Sequence, residues 1–435
     1  MNSEAEIVAR FVGLAGTPAV VTASDVLTAF TVDGCAPCCV LFPSTAEDLS
    51  RCVAAADAAG LALIPAGNGT QLHIGHAPQR YDVALSTRRL RRIVAHEAAD
   101  MTVSVEAGLT LAELNAALAA AGQRLPLDPP YPEHTTIGAL IATDACGPLR
   151  LSQGKVRDLL IGVTVVLADG SVVKGGGRVV KNVAGYDLMK LFTGSFGTLG
   201  IVTEATFKIR PCPEREAVLR MSVPGISEAI DAALAVLDAP VAPSCVDALN
   251  PVAAAQVGLD PTRAAVIVGC SGTAEEVDAQ LAELRTRFAS YAPHIATADG
   301  AQLGTAIRDL PAAGKLGCKL SVLPSRLADL LRRIEDETTR HGMQAAVLAH
   351  VGSGVATIRC AEIAANGAAS AWADELRAAA RRVDGWVVFD RVPTELKHGI
   401  DPWGAETHGL ALMRGIKGTL DPHGRLSPGR FIGGI

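Results

Sequence analysis

The chain has no excess of positive charge. Lysine and arginine total 39 against 45 aspartates and glutamates, a formal charge of −6. Binding a phosphate backbone needs a concentrated basic face, so no nucleic-acid partner is expected. The one dense basic run, Arg88, Arg89, Arg91 and Arg92, reads as a solvated turn. No apolar run approaches the ~20 residues that span a bilayer. The longest, residues 159–168, reads as a buried strand. Residues 1–6 carry neither the basic region nor the apolar stretch of a signal peptide. A cytoplasmic location is expected, peripheral to a membrane only through partners. The ten cysteines form no regular framework, which fits a reducing compartment. Cys35, Cys38 and Cys39 make a C-x-x-C-C run, but no second pair or nearby histidine pair completes a zinc or iron–sulfur ligand set. No metal is expected. Also lacking are a P-loop, a G-x-G-x-x-G turn, a legible internal repeat and a low-complexity tail.

What is present suggests two or three domains, because a single core rarely outgrows ~250–300 residues. Residues 1–35 read as a helical N-terminal segment. A strand over 40–43 ends at Pro43, and Ser44 with Glu47 has capping-box spacing before a helix over 46–59. A strand over 61–65 completes a β-α-β unit with parallel pairing. Strands follow at 83–86 and 101–107, and Thr110 with Glu113 opens another helix. Residues 159–167 and 171–174 form a hairpin around Asp169-Gly170. Residues 201–209 alternate, apolar on one face. Pro211 and Pro213 mark a boundary. Beyond it, strands at 264–269, 319–323, 345–350 and 356–360 and helices at 274–288 and 327–341 predict a smaller α+β layer, helices on one face of an antiparallel sheet.

Four segments carry chemistry. In Pro65-Ala-Gly-Asn-Gly-Thr-Gln-Leu-His-Ile-Gly75, Gly67 and Gly69 let the backbone approach an anion. Successive amides there can form a phosphate nest, and Thr70 adds a hydroxyl. Alone, this loop reads equally as a Gly-Asn turn between strands. Asp128-Pro-Pro-Tyr-Pro is stiff and leads to Thr136-Ile137-Gly138, where the backbone can come close to something flat or charged. Gly154-Lys-Val-Arg-Asp158 is the third. Gly194-Ser-Phe-Gly-Thr-Leu-Gly200 feeding Ile201-Val202 is the fourth.

In this order, with P-S-T-A-E-D-L at 43–49 and V-E-A-G at 105–108, these segments resemble the flavin domain shared by vanillyl-alcohol oxidase, D-lactate dehydrogenase and glycolate oxidase. The resemblance implies an α+β fold. A PCMH-type (p-cresol methylhydroxylase type) FAD-binding domain of two subdomains would span about 36–213, and a ferredoxin-like cap domain 214–435. It implies FAD, its pyrophosphate on Ala66, Gly67, Asn68, Gly69, Thr70 and Gln71; some relatives link FAD through a His or Cys of this loop, but His73 and His76 sit late in it and Cys146 lies past Thr136-Ile-Gly138, so non-covalent binding is expected. Thr136, Ile137, Gly138 and Thr143 would lie along the cofactor, and Gly200, Ile201 and Val202 at its flavin or adenine edge. Gly75, Asp128 and Asp158 enter the cofactor set on the same likeness.

Within that family, G-G-R-V-V-K-N-V-A-G-Y-D-L at 176–188, Asp401-Pro-Trp-Gly404, and the stretches 409–417 and 421–431 are similar to the FAD-binding subunit of bacterial glycolate oxidases. That branch implies oxidation of a small 2-hydroxy acid, glycolate to glyoxylate. Electrons would leave through a second flavoprotein subunit and an iron–sulfur subunit. Arg308 and Lys319 fall near cations that hold the substrate carboxylate in hydroxy-acid oxidising relatives, although both also read as surface cations. One departure stands out. Those relatives carry H-x-G-D-G-N-x-H and a Glu-His-Gly, a metal cluster. Here Ser353 and Thr357 follow His350, and Lys397 precedes His398-Gly399. An ammonium repels a divalent ion, so His350 reads as a pocket or core histidine that contacts substrate. A chemically silent flavin-binding scaffold or electron relay, and a D-lactate dehydrogenase-like enzyme, stay open as alternatives.

Overall fold

A computed structural model describes residues 3–435 except 13, 15–18, 178–185, 297–299, 364–366 and 405–408. Most of the 176–188 segment therefore lies outside the described residues. The fold is mixed α and β, as expected. Its first sheet has the order Ala19–Val21, Cys39–Phe42, Val83–Ser86, Leu63–Ala66. The last three strands are parallel, and Ala19–Val21 pairs antiparallel at the edge. That edge strand corrects the purely helical reading of the N-terminus, where helices Glu4–Val12 and Ser24–Ala29 flank it. The helix Ala46–Ala58 is capped by Thr45, whose side chain accepts from the Asp48 amide, not by Ser44. Both hydroxyls fit the spacing, and the one a residue later meets the turn.

The second sheet is antiparallel: Ile93–Glu97, Thr102–Glu106, Ile201–Lys208, Leu160–Val166, Val172–Gly176. Its central strand, Ile201–Lys208, is buried on both faces rather than one. Helices Leu111–Ala119, with the Thr110–Glu113 capping box, and Ile137–Thr143 pack on it.

The third sheet is antiparallel with eight strands, and it does contain a repeat. Strands Arg215–Val223, Cys245–Leu249, Ala264–Gly272 and His294–Ala296 form a βαββαβ unit in the spatial order fourth, first, third, second. Leu316–Ser321, Ala345–His350, Val355–Cys360 and Trp386–Arg391 form another with the same order. Each unit has the ferredoxin-like pattern. The two join through their second strands, where Asp247 lies opposite His350. The long helices Ile226–Leu237, Ala274–Arg287, Leu327–Arg340 and Ala368–Arg381 cover one face over the largest core. The other face is not bare, contrary to the one-sided expectation. Leu249, Ile267 and Leu348 point there and pack under helices Pro251–Gln256 and Gly300–Asp309. Strand alternation makes that face apolar, so it too must be covered.

The C-terminal residues leave the cap and return to the first sheet. Leu63 donates its amide to Arg425 O (2.7 Å), and Ser427 donates to Leu63 O (2.8 Å). Among the described residues, no helix is long and apolar enough to cross a membrane.

Candidate functional site

A cavity opens between the first two sheets. Its first wall is the loop leaving strand Leu63–Ala66. Gly69 has φ +80°, a left-handed conformation that a side chain resists. Gly67 has no room for a side chain, because a Cβ would overlap Thr136 Oγ1. Thr136 itself is fully buried and caps helix Ile137–Thr143 by accepting from the Ala139 amide. The second wall is that helix. The third is the turn before strand Ile201–Lys208, where a Cβ on Gly200 would run into Val165. Two close backbone approaches and one helix thus surround one space.

Of the cofactor residues expected from the sequence, Ala66, Gly67, Gly69, Thr70, Gln71, Gly138, Thr143, Gly200, Ile201 and Val202 line this cavity. Six do not. Asn68 turns outward and donates to His134 O (3.0 Å). Gly75 packs against the Arg430 carbonyl. Thr136 and Ile137 are buried behind the wall. Asp158 is exposed and closes its own short turn by accepting from the Lys155 amide. Asp128 accepts from the amides of Gly147 (3.1 Å) and Leu149 (2.8 Å) and so holds the turn that meets the cap. Burial pushes the Asp128 carboxyl up to about 7, although both amides and nearby His350 favour its charge.

The cavity also has walls beyond the residues assigned to the cofactor from the sequence. Phe196, Trp403, Ser427 and Arg430 line it. Phe196, Trp403 and Phe431 form a ring cluster with centroids 4.9 Å apart for Phe196–Trp403 and for Trp403–Phe431. Trp403 and Arg430 belong to stretches recognised for their likeness alone, and nothing local marked them as cavity residues.

Beyond the loop lies the seam with the cap. His350 Nδ1 is 2.7 Å from Asp247 Oδ1 across the strand pair, and both are buried. Arg308 engages its neighbour Asp309 through Nε (2.8 Å) and Nη2 (2.9 Å), and Asp309 also accepts from the Tyr131 amide. Lys319 Nζ stands 3.8 Å from Asp390, which is paired at 2.7 Å with the buried Arg359. Burial alone would raise the Asp390 carboxyl, but Arg359 and Lys319 hold it below its ordinary value. Asp390 Oδ1 and Arg391 Nε are buried without a hydrogen-bond partner among the described residues. A second cleft, bounded by Asp33, Gly69, His73, Lys315 and Arg391, opens there. Burial, then Arg391, pushes His73 down to about 3, so its ring is neutral. Lys397 is not placed as an open ligand position. Its Nζ pairs with Asp33 (2.6 Å) and donates to His73 O (3.0 Å) and Gly75 O (2.7 Å).

Residues 37–176 match the FAD binding domain family, and residues 212–388 and 402–431 match FAD linked oxidases, C-terminal domain. The chain is 26% identical to glycolate oxidase subunit GlcD of Bacillus subtilis over 91% of its own length and 89% of that protein. It is 39% identical to glycolate oxidase subunit GlcE of Escherichia coli over a shorter stretch, 32% of this chain and 40% of that one. Its fold superposes on p-cresol methylhydroxylase with a TM-score of 0.79 at 17% identity, covering 99% of this chain and 97% of that one.

Proposed function

This chain belongs to the FAD-linked oxidases, and from that premise we propose that it is an FAD-holding subunit of a multi-subunit glycolate oxidase. Its cofactor is FAD and its class is FAD-dependent oxidoreductase. The cavity suits the dinucleotide. The backbone comes bare to the cavity at Gly67 and Gly200, where a Cβ would collide with Thr136 and Val165, and at Gly138, where it would sit 3.1 Å from the Ala107 Cβ. Thr70 and Gln71 add polar groups to the same wall. FAD bound there supplies a two-electron acceptor for a hydride.

One observation carries the multi-subunit reading: the chain is similar along its length to GlcD and, over a shorter stretch, more strongly to GlcE. In our reading the chain is one flavoprotein subunit, a second flavoprotein subunit completes the chemical step, and an iron–sulfur subunit carries the electrons away. The substrate is a small 2-hydroxy acid, glycolate before D-lactate, and it enters the seam between His73 and the cap strand Trp386–Arg391. Lys319 attracts its carboxylate. Arg308 acts through Asp309, which holds the Tyr131 amide at the rim. His350, oriented at Nδ1 by Asp247, has Nε2 to offer the substrate hydroxyl.

The chemistry is incomplete in this subunit. A metal ion stabilises the alkoxide that develops as hydride leaves, and where relatives carry ligands this chain has Ser353, Thr357 and a Lys397 committed to Asp33. Anaerobic mixing with glycolate tests this. The FAD-loaded chain alone should reduce its flavin far more slowly than an ordinary turnover of ~10 per second. Co-expression with the two partner subunits should restore reduction at that rate. Fast bleaching of the lone chain would place the whole reaction here. Reduction by D-lactate but not glycolate in the complex would change the substrate.

A further inference from the structure

Arg430 is 7% exposed, and its guanidinium carries a charge at any ordinary pH. Nη2 donates to the carbonyls of Leu72 (2.6 Å) and Ile74 (2.5 Å). Nη1 is buried and has no partner among the described residues. Lys397, with its side chain 5% exposed, donates to the carbonyls of His73 and Gly75. Two cations from the far end of the chain therefore take four successive carbonyls of the loop that begins at Gly67.

Their charges do not balance. The carboxylate that faces Arg430 is Asp33, and Asp33 is already paired with Lys397 at 2.6 Å. Tyr81, the other group facing Arg430, donates its hydroxyl to Phe30 O (2.9 Å) and stays neutral, because burial raises it. Among the described residues, two buried cations share one buried carboxylate, which leaves one positive charge out of water. Such a charge is costly unless an anion meets it. Arg430 lines the same cavity as Gly67, Gly69, Thr70 and Gln71.

We propose that Arg430 binds the pyrophosphate of FAD and neutralises it, as a cofactor-binding residue contributed by the C-terminal segment. This rests on FAD as the cofactor. The pyrophosphate is the part of oxidised FAD that carries permanent charge; the flavin and adenine rings are neutral. A guanidinium N–H also suits a phosphate oxygen. The C-terminal residues thus complete a site that begins in the first sheet, and its loop is held to the same cations that meet the ligand.

The test uses full-length apoprotein titrated with FAD and with riboflavin, which has no phosphate, followed by quenching of flavin fluorescence. Arg430→Met should weaken FAD roughly 10–100-fold, the value of one or two charge-assisted bonds. Riboflavin binding should stay within about twofold. Arg430→Lys keeps the charge and loses the fork, and it should stay within about tenfold of wild type for FAD. This second variant also decides the matter if Arg430→Met fails to fold. An equal loss for both ligands would make Arg430 a loop tie and overturn the proposal. Unchanged FAD affinity with a lowered flavin midpoint potential would assign it to the flavin ring, and that too would overturn it. Failure of wild type to bind FAD would instead refute the cofactor reading beneath it.

Discussion

Replacing Gly67 with valine is expected to yield a soluble, nearly colourless protein. The physical reason is a collision that cannot relax. A Cβ at this position overlaps Thr136 Oγ1, Cγ2 and Cβ. Thr136 is fully buried, and its hydroxyl caps the helix that forms the opposite wall. The loop cannot retreat either, because Ser86 donates to Gly67 O at 2.9 Å. Valine must push the two walls apart. Overpacking of this kind costs about 1–3 kcal/mol, and each ~1.4 kcal/mol is tenfold in affinity. FAD affinity should fall by roughly 10–100-fold, read as flavin absorbance relative to protein after purification. Gly304→Ala is the control, since a Cβ there meets nothing within 4 Å. Wild-type flavin content in Gly67→Val would remove this loop from the cofactor site.

The second large effect is on stability. Lys397→Met should destabilise the apoprotein by about 3–5 kcal/mol, the usual result of removing one partner from a buried ion pair. Asp33, with its side chain 6% exposed, would lose its 2.6 Å partner and keep only the Thr394 hydroxyl and the facing Arg430. The carbonyls of His73 and Gly75 would lose their donor as well. Urea unfolding of wild type and variant, both freed of flavin, measures this. Asp33→Asn combined with Lys397→Met should not recover the loss, because it leaves the buried Arg430 without the carboxylate that faces it. If the single variant unfolds at the wild-type urea concentration, Lys397 is not a structural tie. Its place in the sequence would then call for another explanation.

Lys397 also shows where sequence reading stops. The lysine was legible as a departure from a ligand pattern, but its partners were not. Asp33 lies 364 positions away, and no local spacing announces such a contact. The same holds for Arg430 and Trp403, which reach the cavity only because the C-terminal residues return to strand Leu63–Ala66. By contrast, Gly67 and Gly69 follow directly on a strand, and Thr110 with Glu113 sits within one turn of helix. Local geometry dictates those features: the loop follows its strand, and the capping box forms. The repeat in the cap was hidden for a different reason. The two βαββαβ units share strand order and burial, not residues. At their junction, Asp247 and His350 are paired by register alone. Asp158 was carried into the site by likeness, yet it is exposed and occupied with its own turn. Ala19–Val21 is three residues long, too short for alternation to show.

The measurement that bears most directly on the whole reading is the flavin content of the purified wild-type chain. Heat or acid should release a yellow supernatant containing about one FAD per chain and leave a colourless pellet. FAD identified there by chromatography fits a cavity whose glycine-lined walls and C-terminal arginine hold a dinucleotide without a covalent bond. A chain that purifies colourless and takes up no added FAD would contradict that account at its root.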